Sequence, residues 1–255
     1  MLFLITKPYQ FKVRRTQKNK KWSAVLIGIS ALLSTTTFAN SLNEYHAEYQ
    51  VSRKGKVHGT ATRDLTKVAE STYAVRYKSD IEWMIFSDVR TEESLFKLSG
   101  HTVSPLHYSM KREGTGPDKN YKIKFDHLNQ AITSSEEKYP LKVKWLENQQ
   151  DLISYQVQLR EDLKSGKTKL SYPIIDKKGS QRSYDFEIAG EETITLPFGN
   201  VKTIKVKRIY DDSDRQAIAW FAPDYDHMLV KMYKGKDGVE QFQIELTNYQ
   251  PNSKS

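Results

Sequence analysis

Six histidines, His46, His58, His101, His107, His127 and His227, are the first candidates for chemistry. None shows metal-ligand spacing such as His-Glu-x-x-His, so no metal site is expected. His46 and His58 fall on adjacent expected strands and could meet; otherwise they read as ordinary strand histidines. The carboxylate pairs Glu92-Glu93, Glu136-Glu137 and Glu191-Glu192 are adjacent in sequence. Neighbours on a strand point to opposite faces, so such a pair does not aim two acids at one atom. Glycoside hydrolysis needs two carboxyls facing each other across roughly 5 to 9.5 Å, and nothing in the chain demands that. Asp211, Asp212 and Asp214 lack the later Glu of a calcium loop and read as a turn. There is no Gly-x-Ser-x-Gly elbow for a nucleophile. Catalytic residues, cofactor and metal are therefore all expected to be none, and the chain is expected to be more binder than enzyme.

Two constellations suggest binding. Gly114-Thr115-Gly116-Pro117-Asp118-Lys119 is glycine-rich but lacks the phosphate-loop form, so its glycines fit a sharp turn. Its flanks Lys111, Arg112, Lys119, Lys122 and Lys124 form the densest basic patch after the N-terminal region. Such a patch suits anionic headgroups or a polyanionic envelope polymer, or is an ordinary charged face balanced by Glu113 and Asp118. The second constellation is aromatic. Trp83-Met84-Ile85-Phe86 is read as a run on one strand, buried on both faces or showing one face to a ligand. A groove lined by Trp83, Ile85, Phe86, Tyr155 and Leu159, with Trp220 as a further candidate, suits an acyl or other apolar group; the alternative is plain core packing.

These side chains need a frame, and the frame is mainly β. Period-two alternation recurs at Tyr45 to Val51, Val57 to Leu65, Tyr73 to Tyr77, Ile81 to Leu98 with a bend near Ser87-Asp88, and Ile123-Phe125. It returns at Tyr184 to Ile188, Ile194-Leu196, Val201 to Val206, Ile218-Trp220, Leu229 to Tyr233 and Phe242 to Leu246. Lys54-Gly55-Lys56, Pro197 to Asn200 and Lys236-Asp237-Gly238 read as turns. Between Gln149 and Ser165, Leu152, Tyr155, Leu159 and Leu163 step as a helix stripe; Asp151 is placed to help cap it and Gly166 to stop it. About ten antiparallel strands and one helix predict a curved sheet or open half-barrel with the helix on its concave side, since strand edges must be closed or covered. A β-sandwich is the alternative.

Residues 1–39 read as a secretory signal. Seven basic residues from Lys7 to Lys21 precede an apolar run, Ala24 to Leu33, and a small residue sits at Ala39. The run is too short for a spanning helix. Cleavage after Ala39 would leave 40–255 as one periplasmic domain with no transmembrane segment. The whole chain has 255 residues, 38% hydrophobic and 28% charged, with net charge +9 and no cysteine. Without cysteine there is no disulfide, thiolate metal site or lipid-modified cysteine, so a lipoprotein is excluded. Removing the signal leaves 33 of the 40 Lys and Arg against all 31 Asp and Glu. The basicity is thus a targeting feature and does not indicate nucleic acid.

Four segments together carry a resemblance. They are Gly55-Lys56-Val57-His58-Gly59-Thr60-Ala61 with Arg63; Arg112-Glu113-Gly114-Thr115-Gly116; the helix Ser154 to Leu163; and the pair Glu191 to Gly199 with Trp220-Phe221-Ala222-Pro223-Asp224. In order and spacing they resemble the domain of unknown function 3108 family of exported proteobacterial proteins, over about residues 43–249. The resemblance implies a periplasmic β-rich domain without an assigned reaction, similar in architecture to the half-barrels of lipoprotein carriers. The function expected is non-enzymatic binding of a lipid or other envelope component. A protein-interaction or assembly factor of the envelope is the alternative, and an envelope-polymer hydrolase the third.

Overall fold

The computed structural model describes residues 41–135, 141, 143–177 and 179–252. The expected export signal, residues 1–39, lies outside the described residues. So does Glu136-Glu137. The described part falls within one compact unit, Phe38–Ser255.

Among the described residues thirteen strands follow one another in sequence. The first seven are β1 (Tyr45–Arg53), β2 (Lys56–Ala69), β3 (Thr72–Trp83), β4 (Phe86–Ser99), β5 (Thr102–Gly114), β6 (Lys119–Asp126) and β7 (Ala131–Ser134). After the helix α1 (Ser154–Lys164) come β8 (Leu170–Ile175), β9 (Gln181–Leu196), β10 (Gly199–Ile209), β11 (Arg215–Ala222), β12 (Met228–Lys236) and β13 (Val239–Pro251). All join one antiparallel sheet in the order β7-β6-β5-β4-β3-β2-β1-β13-β12-β11-β10-β9-β8. The ladder is open, with β7 and β8 at its edges. This is the half-barrel architecture, and the described residues form no second sheet.

Alternation fixes which face is concave. Directly opposed residues make inward rows across the first half of the sheet. One row reads Tyr45, Leu65, Val75, Ser94, Tyr108, Ile123, and the next Ala47, Arg63, Tyr77, Glu92, Met110, Tyr121. Nearly all of these are buried. A one-residue slip in any strand would turn its whole apolar set outward, so burial of this face specifies the register.

Two readings of the sequence are corrected. Ile81 to Leu98 is not one bent strand: Trp83 pairs with Phe86 across a two-residue turn, and Met84 sits at φ +56°. The turn lacks the Asn-Gly or Asp-Gly that usually signals such a reversal. Ile188 and Leu196 belong to one strand, β9, carried through an irregularity beside Gly190. Strands β5 and β8 escape the alternation pattern because Pro105 and Pro173 interrupt them, and proline normally demotes a strand. Pro105 is tolerated because β6 pairs only with residues 107–112 of β5.

The start of β5 pairs with β4 on one side but has no strand partner on its β6 side, and side chains supply one there. Gln158 accepts from the Val103 amide (2.7 Å) and donates to the His101 carbonyl (2.8 Å). Gln150 donates to the Val103 carbonyl (2.8 Å), and His127 to that of Pro105 (2.6 Å). The main chain of Gln150 meanwhile pairs with Pro173 and Ile175 of β8. One glutamine therefore links a sheet edge to the bare part of β5. Buried backbone groups must be paired, and this is where these bonds go.

Candidate functional site

The helix is shorter than its periodicity suggests and is buried on nearly every side. Asp151 accepts from the amides of Ile153 and Ser154 at its start, and Gly166 at φ +73° follows its end. Val157, Leu159 and Leu163 face the core, but Gln158, Arg160, Glu161 and Asp162 are buried as well. Their bonds reach the wall on several sides. Asp162 accepts from the hydroxyl of Tyr172 (2.8 Å) and from Lys167 (2.9 Å). Glu161 meets His101 (3.0 Å) and Lys164 (2.9 Å). Arg160 forms an ion pair with Asp226, which also meets Lys164 at 2.6 Å. Burial pushes the Asp226 carboxyl up, yet the Arg160 and Lys164 charges overcome it and hold it below its usual range. At the other end, Ser94 donates to Asp151 (2.6 Å) and Arg63 to Gln156 (2.7 Å). A helix with so many wall bonds is a fixed plug, because a lid would have to break buried charged pairs to move.

Beyond the helix N-terminus the concave face continues toward the rim of the β3–β4 turn. Its next row is Tyr49, Ala61, Ser79, Arg90, Arg112, Lys119. On the far wall Lys234 lies between Phe242 and Ala217, and Arg208 opposes Phe186. Lys234 keeps access to solvent, but partial desolvation on this wall pushes its ammonium below its usual range, and the charges of Arg208, Lys177, Arg215 and Arg90 push the same way. Four strands, β3, β2, β1 and β13, lie between Arg90 on β4 and Lys234 on β12. The Arg90 charge nevertheless bears on Lys234, as expected of a sheet that curls on itself. Arg208 stacks over Tyr184, 3.3 Å from the ring centre, and lies 4.5 Å from that of Tyr210. Tyr155 packs on Tyr184 and Phe186. Deeper in, Arg63 is 5% exposed and two of its guanidinium nitrogens have no partner among the described residues. It borders a cavity of about 10 Å³, the size of one water, shared with Tyr45, Gln156 and Arg160.

The structure separates the aromatic candidates. Tyr155 and Leu159 are on the plug, with Leu159 buried. Trp83, Ile85 and Phe86 are together at the β3–β4 turn and exposed, so the run is neither a strand interior nor buried. Trp220 lies on the convex face, where it donates to Glu192 and lies between Lys205 and Lys231. The basic patch is also divided. Lys111 pairs with Glu113 (2.8 Å), while Arg112 bonds Asp88 (2.7 Å) on the concave side, where Lys119 shares its row. Lys122 and Lys124 border a convex-side cavity of about 390 Å³ with Glu93 and His107. His46 binds Asp64 (2.6 Å) and His58 lies edge-on to Trp83, so the two do not meet. Among the described residues no three His, Asp or Glu gather as metal ligands. Nor is any described helix long and apolar enough to cross a membrane.

Arg90, Arg208 and Lys234 escaped the sequence reading. Each is one cation in an alternating strand, and only the register places them on one face. The expected strand Leu229-Lys231-Tyr233 in fact presents Met232 and Lys234 inward, because the pairing of β11 with β12 slips beside Trp220.

An open antiparallel sheet wrapped on a buried helix defines a barrel-like protein. A crystal structure of a beta-barrel-like protein of domain of unknown function DUF1849 from Brucella abortus has the same overall fold, at TM-score 0.54 and 8% identity, over 84% of this chain and 100% of that one. The chain itself belongs to the family described as protein of unknown function (DUF3108), matched over residues 45–247. A candidate lipoprotein from Parabacteroides distasonis aligns over 84% of this chain and 98% of its own, at 12% identity and TM-score 0.34. No curated protein matches the sequence.

Proposed function

We propose that this chain is a non-enzymatic binding protein of the periplasm, exported by its N-terminal segment, that holds a lipid or other envelope component on its concave face. The observation that carries this is the placing of Arg208 against Tyr184 and Phe186 and of Lys234 against Phe242, beside the N-terminal end of α1, with Arg90 on the opposite wall of the same face. Apolar surface beside gathered cations suits an amphiphile with an anionic head. Trp83 and Phe86 stand at the mouth of this face, and Tyr155 forms its floor. No acid–base pair or nucleophile is needed for such a role.

The test is titration of the purified protein with a fluorescent anionic lyso-lipid, compared with its zwitterionic counterpart. The anionic probe is expected to bind more tightly, and Arg90→Gln with Lys234→Gln to remove that preference. Equal binding of both probes, unchanged in the variant, would overturn the proposal.

A further inference from the structure

The β3–β4 turn exposes four consecutive apolar side chains. Trp83, Met84, Ile85 and Phe86 are 45%, 86%, 85% and 52% exposed. Two-residue turns favour Asn, Asp and Gly because they need positive φ, and Met84 adopts φ +56° without that ease. Local conformation therefore gives no reason for these residues, and neither does the core, which they do not enter.

The turn is also braced. Gly114, at φ +127°, lies so close to it that a Cβ there would stand 2.2 Å from the Ser87 carbonyl oxygen. The Thr115 amide donates to that same oxygen (2.8 Å), and the Thr115 hydroxyl accepts from the Ser87 amide (3.0 Å). On the other side a Cβ on Gly59 would stand 2.0 Å from the Asp80 carbonyl oxygen. Two of the glycine motifs in this sequence thus hold one hairpin from both flanks. Rigid presentation of an apolar tip lowers the ordering cost of docking it.

Charge identifies what it docks on. The guanidinium of Arg53 lies 4.6 Å from the Trp83 ring centre, and the neighbouring turn presents Lys54 and Lys56, both exposed. The exposed acids nearby are Glu82 and Asp80 on β3, and the Glu240 carboxylate accepts from the Lys54 amide (2.8 Å). An apolar tip with an aromatic shoulder and basic neighbours matches an anionic bilayer interface, where tryptophan sits at headgroup depth and lysines meet lipid phosphates.

We propose that the Trp83–Phe86 turn inserts into the surface of an anionic lipid bilayer. Trp83 and Phe86 border both the tip and the mouth of the concave face, whereas Met84 and Ile85, the most exposed residues of the turn, serve the docking alone. The protein is tested by co-sedimentation with vesicles of mixed phosphatidylcholine and phosphatidylglycerol, against phosphatidylcholine alone. Met84→Ser with Ile85→Ser is expected to weaken partitioning at least tenfold, since each buried aliphatic side chain contributes that order of free energy. Both residues are solvent-exposed, so the far-UV circular dichroism and thermal midpoint should not move. Brominated lipid is expected to quench the unaltered protein and to lose that quenching in Trp83→Phe. Arg90→Gln with Lys234→Gln should keep vesicle binding, and the tip variant should keep lyso-lipid binding, so the two proposals fail separately. Vesicle binding unchanged in the tip variant would overturn the inference. So would no vesicle binding by the unaltered protein, as expected if the tip meets a protein instead.

Discussion

Asp151 gives the plug a pH dependence that can be measured. It is wholly buried, and burial pushes its carboxyl from 3.8 to about 6, against the opposing bonds from Ser94, Ser154 and Ile153. The folded state therefore holds this proton more tightly than the unfolded chain. Between pH 3.8 and about 6 the folded state carries more protons, so stability falls as pH rises through that window. Above it, the ionised form costs about 3 kcal/mol relative to a carboxyl in water. Asp151→Asn removes the titration but keeps an oxygen for the Ile153 and Ser154 amides, and Ser94 can turn to accept from the new amide. Urea unfolding of both proteins from about pH 4 to pH 7 isolates the effect, because other titrating groups cancel in the difference. The stability of the Asn variant relative to the unaltered protein should rise by about 2.4 kcal/mol across that range. A difference that stays flat with pH would refute the buried-carboxylate argument.

Three further outcomes follow from the same contacts. Gln158→Leu should destabilise by about 2–4 kcal/mol in denaturant unfolding, because it strands the Val103 amide and the His101 carbonyl. Gly114→Ala should lower the thermal midpoint by the equivalent of about 2–4 kcal/mol, through both its φ of +127° and the clash with Ser87. Asp226→Asn should cost about 2–3 kcal/mol by leaving Arg160, 4% exposed, without its carboxylate, and calorimetry would show it.

The strands that bury one face were legible in the sequence. Tyr45, Ala47, Tyr49 and Val51 alternate because a curved sheet has one core side. The end of the helix was legible at Gly166 for a local reason, its positive φ. The helix environment was not: Arg160, Glu161 and Asp162 look like a solvated face, and they are buried only because distant strands wrap around them. The turn at Met84 was hidden because its residues contradict turn chemistry, a local rule broken where the structure points to a use. The cations of the concave face were invisible for a different reason. Arg90, Arg208 and Lys234 come to share one face through pairing register across many strands, which a single strand does not encode.

Native mass spectrometry of the protein, purified from cells without detergent, tests the central claim most directly. The account expects reproducible extra mass that extracts into organic solvent and carries an anionic group, and its loss in Arg90→Gln with Lys234→Gln. A clean protein mass, with no uptake when anionic lipid is offered, would contradict it.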